Sequence, residues 1–236
     1  MEVQDHIAEV ILARPERKNA INGPLGLDLA AALKTADTDP AVHVVLLRGD
    51  GGAFCSGIDL NAFNADPVPD WLPDFPSIWR SAHRSLFECR KPLVCALERY
   101  AINGGAALAL AADLLFVGRT AWLQIGEARL GMAAPYNLAW ASLRLPESAI
   151  ARLVFMADRV SGPELLALGI AHRVADDEDV LTQTRAFCAE VASWPEGGLS
   201  RIKSGIRARL GMSADDWFDR FAGSNPVPVK PPLRQR

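Results

Sequence analysis

Three short stretches hold the residue types that could do chemistry. "GGAFCSGIDL", Gly51 to Leu60, sets a cysteine and a serine among glycines. A nucleophilic Ser56 would want glycine two residues earlier, where Phe54 stands, and no histidine is placed to serve it. "INGGAALALA", Ile102 to Ala111, pairs Gly104 and Gly105 ahead of a run of small apolar residues. A glycine pair costs helix stability, so it marks either a plain turn or a place where something small must reach backbone N–H groups. "IGEARLG", Ile125 to Gly131, sets Glu127 between apolar residues and next to Arg129 by one. Taken alone it reads as a solvated turn residue or a partner of Arg129. Cys55, Cys89, Cys95 and Cys188 show no C-x-x-C spacing, and His43, His83 and His172 fall in no ligand-like pattern with them. They read as reduced structural thiols, with no metal site; His6 lies near the N-terminus, and no histidine is given a role.

The elements that must position these stretches follow from periodicity. "HIAEVILARP" alternates polar and apolar residues and stops at Pro15, and "AVHVVLLRG" repeats the pattern, so both read as strands. Between them "PLGLDLAAALKTADTD" carries leucines at helical spacing with Pro24 near its start. "PLVCALER" and "DLLFVGR" read as further strands around a helix short enough for a tight crossover. The class is α/β, a sheet with helices packed beside it. From Glu147 the strand signals nearly vanish and helices dominate. "SGPELLALG" has Ser161 and Glu164 in capping-box register and Gly169 as a stop. "DEDVLTQTRAFCAEVASW" is a longer helix, and the proline-rich "NPVPVKPPLRQR" ends the helical pattern. "DPVPDWLPDFP" reads as a mobile loop over another part of the molecule.

Composition narrows the function. Of 236 residues half are hydrophobic and 22% charged, with a formal net charge of -3, which favours neither disorder nor a nucleic-acid partner. "RIKSGIRARLG" is basic, but the chain as a whole is acidic. The longest apolar run falls short of the ~20 residues that span a bilayer, and Glu2 and Asp5 stand where a signal peptide would be basic. A cytoplasmic protein without a membrane partner is expected.

"RPERKNAIN", "GGAFCSGIDL", "AINGGAALALAADLLFV", "IGEARLGMAAP" and "SGPELLALGIAHRVAD" resemble, in order and spacing, the enoyl-CoA hydratase/isomerase (crotonase) family, from Arg14 to about Val191. The resemblance implies a spiral of ββα units over residues 1–145 holding the coenzyme A and oxyanion site. It also implies a C-terminal helical region over 146–225 for trimerisation, a flexible tail over 226–236, and trimers or paired trimers. Coenzyme A would be part of the substrate, with no separate cofactor. The oxyanion donors would be the N–H groups of Ile58 and Gly104, with Gly105 behind the latter, each worth about 2.7 to 4 kcal/mol in an enolate-like transition state. Ser56, Gly57, Asp59 and Leu60 would lie along the adenine and pantetheine, and Arg17 and Lys18 near the phosphates. Glu127 matches a catalytic glutamate. Asp113 is taken as structural.

Two departures set the expected reaction. Where hydratases of the family carry a glutamate in the first turn after the glycines, this chain has Ala107, and where relatives often have lysine it has Asn61. Hydration asks for two carboxylates; moving a double bond from C3 to C2 of an enoyl thioester asks for one base that takes a proton from C2 and returns it at C4. The expectation is Δ3,Δ2-enoyl-CoA isomerisation in fatty acid metabolism with Glu127 alone. A hydratase or another enolate reaction using Glu127 stays open, as does an acyl-CoA-binding protein without catalysis.

Overall fold

The structure, a computed structural model, describes residues 1–222. Its strands are β1 (Glu2–Gln4), β2 (Ile7–Leu12), β3 (Val44–Gly49), β4 (Leu93–Leu97), β5 (Tyr100–Ile102), β6 (Leu114–Gly118), β7 (Trp122–Gln124), β8 (Val160–Ser161) and β9 (Arg173–Ala175). The helices are α1 (Gly23–Thr38), α2 (Leu60–Phe63), α3 (Phe75–Glu88), α4 (Gly104–Ala111), α5 (Pro135–Ala141), α6 (Glu147–Ala151), α7 (Gly162–Ala167), α8 (Val180–Ala192), α9 (Gly198–Ala208) and α10 (Ala214–Ala222).

Six strands form one sheet in the order β1-β2-β3-β4-β6-β9, parallel except where β1 meets β2, and β5, β7 and β8 form a second. Successive residues of the central strands enter different cores, which is why the strands are apolar on both faces. Val45, Leu47, Cys95, Leu115 and Val117 join the core shared with α1, α3 and α4, whereas Val44, Leu46, Val94 and Phe116 pack with Val180, Cys188 and Val191 of α8. The chain passes from a large-sheet strand to a small-sheet strand to a helix, twice in clear form: β4, β5, α4 and then β6, β7, α5. This is the spiral of ββα units that the resemblance implied.

Two sequence expectations meet a different arrangement. Beyond residue 145 the chain still supplies strands: β8 pairs with β7, and β9 closes the edge of the large sheet beside β6, so the C-terminal region is woven into the sheets as well as helical. Strands of two or three residues are too short for periodicity to reveal. The segment read as a mobile loop is anchored instead, because Leu72 is buried and Trp71 sits edge-on to Phe63 and Phe75. The tail expected over 226–236 lies outside the described residues. All four cysteines are free and buried. No helix among the described residues is long and apolar enough to cross a membrane.

Candidate active site

Ile58 owes its orientation to a single parallel bridge to Ile21. The N–H of Ile21 donates to the Gly57 carbonyl at 2.7 Å and the N–H of Asp59 donates to the Ile21 carbonyl at 2.9 Å. Alternate peptide groups of an extended chain face opposite sides, so the N–H of Ile58 is turned away from Ile21, and it donates to no group among the described residues. Gly57 makes this possible with φ 88, and a Cβ there would lie 2.9 Å from the Ile102 carbonyl oxygen. The turn is thereby seated against the end of β5, one residue before Asn103.

The second set of free donors opens α4. Its first internal bond runs from the Ala107 N–H to the Asn103 carbonyl, which leaves the N–H groups of Gly104, Gly105 and Ala106 without partners among the described residues. The two glycines serve different ends. A Cβ on Gly105 would stand 2.6 Å from the Cys55 carbonyl oxygen, so this glycine is required by packing. One on Gly104 would meet the tips of Ile21 and Trp79, at 2.9 and 3.6 Å, beside the free donors.

Asn103 ahead of them has φ 51 and ψ -111, a backbone region that only glycine visits without strain. Four hydrogen bonds hold it there. Its N–H donates to the Gln124 carbonyl at 2.8 Å and its Oδ1 accepts from the Gly126 N–H at 2.7 Å. Its carbonyl accepts from Ala107 N–H at 3.0 Å and from Asn137 Nδ2 at 3.1 Å.

Gly126 leads directly into Glu127, which begins a 3-10 turn, Glu127–Leu130, after β7. Its carboxylate is buried, with Oε1 accepting from Asn137 Nδ2 at 2.8 Å and Oε2 without a partner among the described residues. Burial pushes its pKa up to about 7, against the opposing pull of its own N–H and of Asn137. The partnership with Arg129 is absent: Arg129 points outward to Asp158 at 2.6 Å. Ala107, expected as the gap left by a missing acid, is a buried methyl on α4.

The remaining expected residues cluster at the rim. Arg17 and Lys18 are exposed and form no ion pair among the described residues; the Ser56 N–H donates to the Lys18 carbonyl at 3.1 Å, which holds the basic pair beside Ser56, Gly57 and Ile58. Leu60 is partly exposed at the start of α2, and Asn61 beside it is exposed. Asp59 is committed to the fold: it accepts from Arg14 at 2.9 Å and from the Ala62 N–H at 3.1 Å, capping α2. Its carboxylate is therefore a support for the Ile58 turn rather than a free ligand group. Asp113 is structural too, accepting from the Leu93 N–H at 2.8 Å and facing Lys203 at 2.6 Å.

Asn103, Asn137 and Trp79 were not singled out in the sequence, although an asparagine directly before the glycine pair was a visible signal. A cavity of about 650 Å³ lies against the segment flanking Glu127, lined by Ile125, Ala128, Met132, Leu138 and Val154. A second, of about 470 Å³ under α9, contains none of the site residues. His83 is buried, accepts from Trp140 Nε1 at 2.9 Å and has its pKa pushed down to about 3 by burial, so it is neutral packing. Among the described residues no cluster of three His, Cys, Asp or Glu side chains could hold a metal.

A family model described as enoyl-CoA hydratase/isomerase matches residues 2–216. The chain is 29% identical over 221 residues to the 1,2-epoxyphenylacetyl-CoA isomerase of Escherichia coli strain K12, covering 92% of this chain and 84% of that protein. It is 28% identical over 214 residues to the carnitinyl-CoA dehydratase of Proteus mirabilis, covering 90% and 81%. A crystal structure of an enoyl-CoA hydratase/isomerase from Pseudoalteromonas atlantica T6c superposes with a TM-score of 0.83 at 22% identity, over 94% of this chain and 87% of that one, a likeness of fold.

Proposed function

Because the chain belongs to the enoyl-CoA hydratase/isomerase family, an acyl-CoA enzyme family, we propose that it moves a double bond of a 3-enoyl-CoA to the 2-position with Glu127 as its only acid/base. The observation that carries this reading is that Glu127 is, among the described residues, the one buried carboxylate with an unpartnered oxygen: Ala107 offers a methyl group, and the equally buried Asp59 is held by Arg14.

In the proposed reaction the thioester oxygen accepts from the N–H groups of Ile58 and Gly104. The carboxylate of Glu127 takes a proton from C2, and the electron pair spreads into a dienolate whose oxyanion those two donors stabilise. The same carboxyl group then gives its proton to C4, so that the double bond lies between C2 and C3 and nothing is gained or lost overall. A pKa of about 7 suits both halves, since Glu127 is partly ionised at neutral pH yet a competent acid once protonated. Arg17 and Lys18 are free to meet the coenzyme A phosphates at the rim.

A second reading, addition or removal of water with Glu127 alone, has its own support. Glu127 Oε2 and Asn137 Oδ1 are two buried acceptors without donors, on side chains already joined by a hydrogen bond, and a water has two hydrogens to give. The relative named as a dehydratase points the same way. A panel of 2-enoyl- and 3-enoyl-CoA thioesters of graded chain length separates the readings. Faster conversion of the 3-enoyl series is the expected result, faster hydration of the 2-enoyl series overturns it in favour of a hydratase, and binding without turnover of either leaves a binding protein.

A further inference from the structure

Asn137 lies on α5, 34 residues along the chain from Asn103 and 10 from Glu127, and it touches both. Its amide orientation follows from its neighbours: Nδ2 faces two acceptors, Glu127 Oε1 at 2.8 Å and the Asn103 carbonyl at 3.1 Å, and the flipped amide would set Oδ1 against two oxygens. Both N–H bonds of Nδ2 are therefore spent, one at each end of the site. The side chain is 2% exposed, so water does not compete for them.

We propose that Asn137 is the positioning residue of the site: it holds Glu127 by Oε1, leaves Oε2 as the one oxygen that takes and returns the proton, and fixes that oxygen relative to the Gly104 N–H through the Asn103 carbonyl. The inference rests on the acid/base reading of Glu127. The carboxylate and the oxyanion donor belong to different elements, the turn after β7 and the start of α4, and Asn137 is the side chain that bonds to both. Rotation of the Glu127 carboxylate would break that hydrogen bond.

No other charged group sets the behaviour of Glu127 among the described residues. α4 and β7 carry no titratable side chain, and α5 carries only Tyr136, whose hydroxyl burial keeps protonated at neutral pH. Arg129 is paired with Asp158, and Arg152, on the turn packed against the Glu127 segment, with Glu164. Glu147 on α6 is exposed. Donation from Asn137 is thus the side-chain contact that favours the ionised form.

The test is Asn137→Leu, close in volume and without a donor; the Asn103 carbonyl keeps its bond from Ala107. Carboxyl carbon-13 spectra of protein labelled at glutamate, with the Glu127 resonance identified by its absence in Glu127→Gln, give the titration directly. The expected midpoint rises from about 7 by roughly 1 to 2 units, the equivalent of one hydrogen bond to the ionised form. On the best thioester, kcat at pH 7 should fall about 10- to 100-fold with KM within about threefold, as for a misplaced base. Asn137→Val, smaller and likewise without a donor, should move the midpoint upward to a similar extent, and it serves if the leucine variant does not fold. An unmoved midpoint in the folded variants overturns the proposal, as does a loss of kcat accompanied only by a lower melting temperature. A parent inactive on every thioester would defeat the acid/base reading instead, and the titration would still report on the clamp.

Discussion

The two ends of α4, a helix of only eight residues, are built in opposite ways. At its C-terminal end the Ala112 carbonyl accepts from Arg144 at 2.6 Å, and Asp113 meets Lys203 at 2.6 Å, Arg207 at 3.9 Å and the Leu93 N–H. Cations there complement the negative end of the helix. At its N-terminal end, where the dipole is positive, no side chain caps the free N–H groups, and the nearby carboxylate has an unpartnered oxygen and a backbone outlier beside it. One end has its last carbonyl and its acid partnered, although Arg144 Nε is left without a partner among the described residues, and it stabilises the fold. The other carries unmet hydrogen-bonding capacity and strain, costs that persist where a ligand is meant to satisfy them.

The comparison predicts that the ends fail differently. Glu127→Gln at the bare end keeps size and polarity and removes the base, so turnover should fall about 10² to 10⁴-fold or more while a saturated acyl-CoA still binds within a few-fold, measured by calorimetry. Stability should move the other way. The folded-state pKa of Glu127 stands at about 7 against an ordinary 4.5. Its contribution to stability is thus fully present below 4.5 and lost as pH rises to about 7. Glutamine has no such loss. Denaturant melts at pH 4.5 and 8 should show the variant gaining on the parent by up to about 3 kcal/mol across that window and no further above it. A variant that keeps its turnover, or whose relative stability ignores pH, would place Glu127 outside the site.

At the partnered end Asp113→Ala leaves the buried Lys203 ammonium with the Lys91 carbonyl but no counter-charge from Asp113, and frees the Leu93 N–H. The cost should be roughly 2 to 3 kcal/mol, seen as a melting temperature lower by about 4 to 10 °C. Activity of the folded fraction should stay within about twofold. Loss of kcat without loss of stability would erase the contrast between the two ends.

How much of this was legible beforehand depends on range. The strands β2, β3, β4 and β6 and the helices α1 and α8 announce themselves because period and composition are local properties. The small sheet does not, since Val160 and Ser161 make a strand only by lying beside Leu123 and Trp122. The glycine pair was legible as a question, and the resemblance supplied its expected answer. Glu127 beside Arg129 looked like a surface pair until folding turned the two apart. Asn137 was invisible for a deeper reason: an amide has no spacing rule, and its partners come from two separate turns of the spiral. Asp59 misled in the same way, because the Arg14 that occupies it is 45 positions away.

Refilling the bare end sharpens the comparison. Ala107→Glu puts a second carboxylate one turn into α4, where the family's hydratases have theirs, and hydration of a short 2-enoyl-CoA should rise about tenfold over the parent. Because the position is buried, the same change should lower the melting temperature as an unpaired acid enters the core. Destabilisation with thioester binding intact and no gain in hydration would mean that the missing acid is not what decides the reaction.

The smallest effect should come from charges that belong to neither end. Arg17 and Lys18 are exposed, form no ion pair among the described residues, and are tied to the turn that presents Ile58 by the Ser56 N–H bond to the Lys18 carbonyl. If they meet the phosphates of coenzyme A, they do so in water, where a unit pair at contact is worth about 1 kcal/mol. Arg17→Ala and Lys18→Ala should each raise KM about two- to fivefold at low salt with kcat unchanged, since the phosphates lie far from the reacting carbons. Screening should erase most of the difference near 0.5 M salt, where the Debye length falls to roughly 4 Å. The melting temperature should not move, because no fold contact is lost. A change in kcat, or an effect on KM that salt leaves intact, would instead mean that the pair holds the Ser56–Ile58 turn in place. The rim charges would then be part of the scaffold, as Asp113 is at the far end of the helix.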